Sequence, residues 1–181
     1  MLHHRVSLEP CLPRPAKEPP AGPGWIHEIK HNGFCILARR DKDRVRLATR
    51  NGSDFTARSW RVESLSVRSC VIDGEAIVVN EDGLSIFDLL RYRLRDDAAV
   101  LCAFDLIEAD GADLRRQPLE RRKAMLVELL RDVRDGIAFN QHFEGDGGIV
   151  FQHACALAAK ASYRSGSVRT IGRDTSTTGS R

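Results

Sequence analysis

The spacing of apolar residues changes along the chain, and each change marks a predicted element. Trp25-Ile26-His27-Glu28-Ile29, Phe34-Cys35-Ile36-Leu37-Ala38 and the alternating Arg44 to Thr49 predict three strands. A hairpin at Asp41-Lys42-Asp43 joins the last two. After Asp54 a short helix is predicted with Trp60, Val62 and Leu65 facing inward. Cys70-Val71-Ile72-Asp73 and Ala76-Ile77-Val78-Val79 follow as two buried strands split by a glycine. Ser85 is predicted to cap a helix carrying Ile86, Phe87, Leu89 and Leu90. Val100 to Ile107 is a further strand, ending in the turn Glu108-Ala109-Asp110-Gly111. Pro118 opens the clearest helix, with Leu119, Leu126, Leu129, Leu130 and Val133 on one side and Arg121, Arg122, Lys123, Glu128 and Arg131 on the other, the pattern of a helix covering a sheet. A strand near Ile137 to His142 and a last helix from Asp146 to Lys160 complete the pattern, with Ile149, Val150, His153, Ala154 and Leu157 sharing a face of that helix.

The two ends differ in texture from the middle. Six of the seven prolines fall in residues 1–24, which predicts an extended lead-in. Residues 162–181 hold five Ser, four Thr and three Gly, too little apolar surface to repay the entropy of ordering, which predicts a disordered basic tail. One globular domain over residues 25–161 remains. With 181 residues, 42% hydrophobic and 29% charged, the chain has ordinary globular composition, which excludes collagen-like and coiled-coil classes. No apolar run is long enough to span a bilayer and the first residues lack the apolar core of an export signal, so no membrane association and a cytoplasmic location are expected. Five cysteines without a CxxC pair are expected to be reduced, and most of them buried. His27 and His31 have no third ligand at metal spacing, so no zinc site is predicted. The net charge of +3 is carried by residues 162–181, leaving the body neutral. A nucleic-acid surface would need local clusters such as Arg39, Arg40, Arg44 and Arg46, which a solvated hairpin face explains equally well.

The most informative stretch runs from Trp25 to Phe34. Lys30 ends a strand, a glycine turn follows at once, and a second apolar strand begins, so an amine is placed at the mouth between packed sheets. Alone, Lys30-His31-Asn32-Gly33 is more simply a surface lysine before a turn. Its company alters that balance. The chain resembles the ATP-dependent DNA ligases, of the superfamily that includes RNA ligases and mRNA capping enzymes. Lys30-His31-Asn32-Gly33-Phe34-Cys35 is similar to their K-x-D-G-x-R motif, and Trp25 to Ile29 to the lead-in of bacterial ligases of the end-joining type. Thr49-Arg50-Asn51-Gly52 resembles the second element, Val71-Ile72-Asp73-Gly74-Glu75 the D-G-E element and Phe104-Asp105-Leu106-Ile107 the F-D element, all in the family's order.

The resemblance implies an α/β nucleotidyltransferase domain of the α+β, ATP-grasp-like type, with mixed or antiparallel sheets flanked by helices. It implies adenylyl transfer with ATP and Mg²⁺. Lys30 would attack the α-phosphate, and since an ammonium is no nucleophile its pKa of about 10.4 must be lowered by partial burial, nearby cations or metal-bound substrate. Glu28 would read the adenine edge, with Ile29 beside it in the ATP site. Phe104 would stack on the ring, Arg50 would hold the ribose or nick phosphate, and Glu75 would bind the ribose hydroxyl or the shell of a Mg²⁺. The implied partners are nicked or broken double-stranded DNA and end-joining repair proteins, for a monomeric protein associated with the nucleoid.

The sequence departs from the family in three places. Asn32 replaces the motif aspartate and Cys35 the motif arginine, and losing one charged contact to a transition state costs about 10²- to 10³-fold. After Leu157 a glutamate- and lysine-bearing segment is missing, as in a truncated or frameshifted end. An inactive remnant acting as a nucleotide- or DNA-binding module is therefore the alternative. A capping-type or RNA-ligase reading fits the Trp25 to Phe34 stretch less well.

Overall fold

The computed structural model describes Gly22 and residues 25–58, 62–81, 83–150, 152–153 and 168–172. Its frame is a six-stranded sheet, here the large sheet. β2 (Phe34–Asp41) and β3 (Arg44–Thr49) form the predicted hairpin, whose turn places Lys42 at φ 55. β4 (Ser69–Ile77) pairs antiparallel with β2, and β5 (Val100–Ala109) with β4. The two-residue β6 (Ala112–Asp113) closes one edge, and β7 (Ile137–Phe139) runs parallel to β5. A second, three-stranded sheet has β1 (Trp25–Ile29) at its centre, between β8 (His142–Glu144) and β9 (Val168–Gly172). The predicted mixture of antiparallel sheets and helices is present.

The core lies on one face of the large sheet. Ile36, Ala38, Leu47, Ile72, Ala76, Leu101, Ala103 and Leu106 pack there with Val62, Leu65, Leu90 and, from α2 (Leu119–Leu130), Leu126, Leu129 and Leu130. The inward residues of α2 follow the apolar stripe read from its sequence.

Several elements differ from expectation for local physical reasons. The two strands expected around Gly74 are one, because the backbone of β4 passes so close to β5 there that a Cβ on Gly74 would lie 2.6 Å from the Cys102 carbonyl oxygen. A glycine that reads as a break is a close approach of two backbones. The helix expected after Asp54 is two 3₁₀ turns, Thr56–Arg58 and Val62–Ser64, which still bury Val62 and Leu65; Trp60 lies outside the described residues. Ser85 does not cap α1 (Phe87–Arg91), whose first turn has no side-chain cap. Arg122 and Lys123, placed by the pattern on the solvent side of α2, are both buried. The strand expected over Ile137 to His142 is two short ones on different sheets. The last helix begins at 147, and its continuation after 153 lies outside the described residues. Val168–Gly172, inside the segment expected to be disordered, is a strand paired with all of β1, while the remainder of that segment and the lead-in apart from Gly22 lie outside the described residues.

Gly74→Ala is expected to destabilise the domain by about 1–3 kcal/mol, since backbone rather than a flexible side chain must move. A lowered urea midpoint with an unchanged slope would show it.

Candidate nucleotide-transfer site

Lys30 to Gly33 is the crossing from the small sheet to the large one, so the shape of this short segment decides where the Lys30 amine sits. Three side chains from distant parts of the chain hold it. The Asn32 N–H donates to Ser85 Oγ at 3.0 Å, the Gly33 N–H donates to Glu75 Oε1 at 2.9 Å, and His31 Nε2 lies 2.9 Å from Asn140 Oδ1. This is where the Ser85 hydroxyl goes in place of capping α1. Gly33 also packs against β4, where a Cβ would lie 2.0 Å from the Ala76 carbonyl oxygen, so only glycine allows this path. Glu75 and Ser85 are buried acceptors that satisfy backbone donors the two sheets leave unpaired.

Glu28, two residues before the lysine, is completely buried. Its Oε1 pairs with the Lys123 ammonium, while Oε2 has no hydrogen-bond partner among the described residues. Lys123 Nζ also donates to the Phe104 carbonyl at 2.9 Å and lies 5.4 Å from the centre of the Phe139 ring. Phe104 sits at an irregularity of β5: Asp73 pairs with Asp105 and Gly74 with Ala103, so the ladder passes over Phe104. Such a bulge re-aims a side chain and interrupts the regular pairing, and here Lys123 takes the carbonyl. One helix turn thus ties the strand of Glu28 to the bulge of Phe104. Next to it on α2, Arg122 pairs with Asp105 at 2.9 Å; burial nonetheless outweighs this partner and holds the Asp105 carboxyl above its ordinary value.

The residues singled out from sequence therefore fall into two groups. Glu28, Ile29 and Lys30 lie consecutively at the end of β1, and Glu75 touches the turn that follows. Phe104 is linked to Glu28 through Lys123. Lys30 itself is exposed. Arg50 lines a cavity of about 480 Å³ that includes Gly33 of the turn, together with Arg58, Arg91 and Arg93 and the packed rings of Phe34, Phe55 and Phe87. Arg58 stacks over Phe55 and pairs with Asp96 at 2.9 Å. Cys35 lines the same cavity and is exposed. Among the described residues there is no cluster of three or more His, Cys, Asp or Glu able to hold a metal. The reading from sequence missed Lys123, Ser85 and Asn140, although the spacing of Leu119, Lys123, Leu126 and Leu130 places that lysine within the apolar row.

The profile of the ATP dependent DNA ligase domain matches residues 17–161. The multifunctional non-homologous end joining protein LigD of Pseudomonas aeruginosa is 33% identical over 159 residues, which are 83% of this chain and 19% of that protein. The ligase domain of LigD from M. tuberculosis superposes with a TM-score of 0.66 at 28% identity, over 83% of this chain and 48% of that one. A mycobacterial DNA ligase D complexed with ATP and MES gives 0.65 at 27%, with the same coverage. The chain thus spans about a fifth of the curated relative and about half of each matched ligase structure.

Burial pushes the Cys70 thiol up to about 11 and that of Cys102 to about 12, the latter helped by Glu75, so both stay protonated at pH 8. Brief alkylation at pH 8 followed by peptide mapping is expected to modify Cys35 and to spare Cys70 and Cys102 until denaturant is added.

Proposed function

From the premise that the chain belongs to the ATP-dependent DNA ligase family, we propose that it forms a covalent lysyl-adenylate at Lys30 as the first step of sealing DNA breaks. The observation that carries this reading is the placement of Lys30 on a turn held by Ser85, Glu75 and Asn140, directly after the buried Glu28. A pinned turn fixes the lysine backbone before the substrate arrives, and positioning supplies much of the rate in phosphoryl chemistry.

In this reading ATP lies with the edge of its adenine towards Glu28 and its face towards Phe104, with Ile29 beside it. The Lys30 Nζ loses a proton and attacks the α-phosphorus; the N–P bond forms as the bond to pyrophosphate breaks. Mg²⁺ is usually held by one or two carboxylates plus substrate phosphates rather than by an all-protein cage. Glu75, the carboxylate against the turn, would be the residue that holds the ion, and the bound ion would supply charge neutralisation at the phosphates. AMP then passes to the 5′-phosphate of nicked or broken double-stranded DNA, and the 3′-hydroxyl displaces it. Arg50, in the cavity beside the turn, would hold the ribose or the nick phosphate. The protein would act as a monomer with end-joining repair proteins, in the cytoplasm at the nucleoid.

Asn32 and Cys35 favour slow chemistry, since each replaces a charged group of the motif. Incubation with Mg²⁺ and ATP labelled at the α-phosphate is expected to leave label on the wild-type chain and none on Lys30→Ala. Absence of label from folded wild-type protein would support the inactive binding module instead. Restoring both charges with Asn32→Asp and Cys35→Arg is expected to raise the labelling rate about 10²-fold or more, checked by single-turnover kinetics.

A further inference from the structure

Resting on the reading of Glu28 as the group that faces the adenine edge, we propose that Lys123 sets the base specificity of the site by fixing Glu28 as a pure hydrogen-bond acceptor. Glu28 is completely buried, one oxygen is held by the Lys123 ammonium, and the other has no partner among the described residues. A buried unpaired carboxylate oxygen is costly, and a ligand donor removes that cost. The 6-amino group of adenine is such a donor; the 6-carbonyl of guanine is an acceptor and meets the same oxygen repulsively.

Which base is accepted therefore depends on Glu28 presenting Oε2 as an acceptor. Among the described residues Lys123 from α2 is the cation in contact with it, and the backbone register pairs Glu28 with His142 on β8 and Arg169 on β9. A Glu28 that loses this cation is no longer held with Oε2 towards the 6-amino group, and the discrimination against guanine falls with it. Lys123 also fixes the distance between the two contacts of the base, since the same Nζ holds the Phe104 carbonyl at 2.9 Å. Lys123 touches no substrate in this arrangement; it is a positioning residue acting through Glu28 and Phe104.

The test is equilibrium dialysis of the whole chain against radiolabelled ATP and, separately, GTP, for wild type, Lys123→Arg and Lys123→Met, each checked for folding by circular dichroism. Wild type is expected to prefer ATP by about 10²-fold, Lys123→Arg to keep most of that preference, and Lys123→Met to lower it to less than about tenfold. A folded Lys123→Met with the wild-type ratio, its affinities for both nucleotides falling together, assigns Lys123 a purely structural role and overturns the inference while leaving the nucleotide site in place. Should Lys123→Met fail to fold, Lys123→Gln, neutral and still polar, is read by the same ratio with the same meaning. Wild-type protein that binds neither nucleotide overturns the reading of Glu28 itself, and the inference with it.

Discussion

The contact between Lys123 and Glu28 joins the parts of the molecule that have no backbone pairing to each other. β1 belongs to the small sheet and β5 to the large one, and Lys123 on α2 binds a side chain of the first and a carbonyl of the second. Taking both charges out of water is expensive, and their attraction offsets that expense only when the geometry is good and the remaining protons are used. Here the ammonium spends a second proton on Phe104 and faces the Phe139 ring. An apolar pair of equal volume would hold the sheets together as well or better, so stability alone gives no reason for the charges. The reason lies in what Glu28 leaves unused.

The same arrangement explains why the turn between the sheets is so heavily constrained. A segment that leaves one sheet and enters another has backbone donors with no ladder to meet, and Ser85 and Glu75 meet them. The partners come from β4 and from the loop before α1, so the Lys30 turn inherits its shape from the large sheet while its strand belongs to the small one. Bulk at Gly33 would push the turn away from β4, and with it the amine.

Much of this was legible in the sequence. The hairpin, the course of β1 and the outline of α2 follow from local periodicity, while Glu28, Lys30, Glu75 and Phe104 were singled out only through the resemblance to the ligase motifs. What was not legible depends on long-range contact. Lys123 was assigned to the polar side of α2 by its charge, although its spacing from Leu119 and Leu126 puts it in the buried row; residue type outweighed period, wrongly. Ser85 was given a helix to cap because a serine before an apolar helix usually does so, and only the fold reveals the turn that takes its hydroxyl. Gly74 reads as a boundary because sequence cannot distinguish a break from two backbones passing closely. Val168–Gly172 has the composition of a tail, and its order comes from pairing with β1.

That last pairing bears on how the chain reaches this structure. β1 stands near the start of the described chain, but both strands that flank it stand near the end. Loops that long are slow to close, and contacts between distant residues reward the chain only after the closure entropy has been met. The large sheet, built mostly from neighbours in sequence, has the shorter closures. During synthesis the strand carrying Glu28 therefore leaves the ribosome long before its partners exist, and the small sheet completes last, on a scaffold that has already folded.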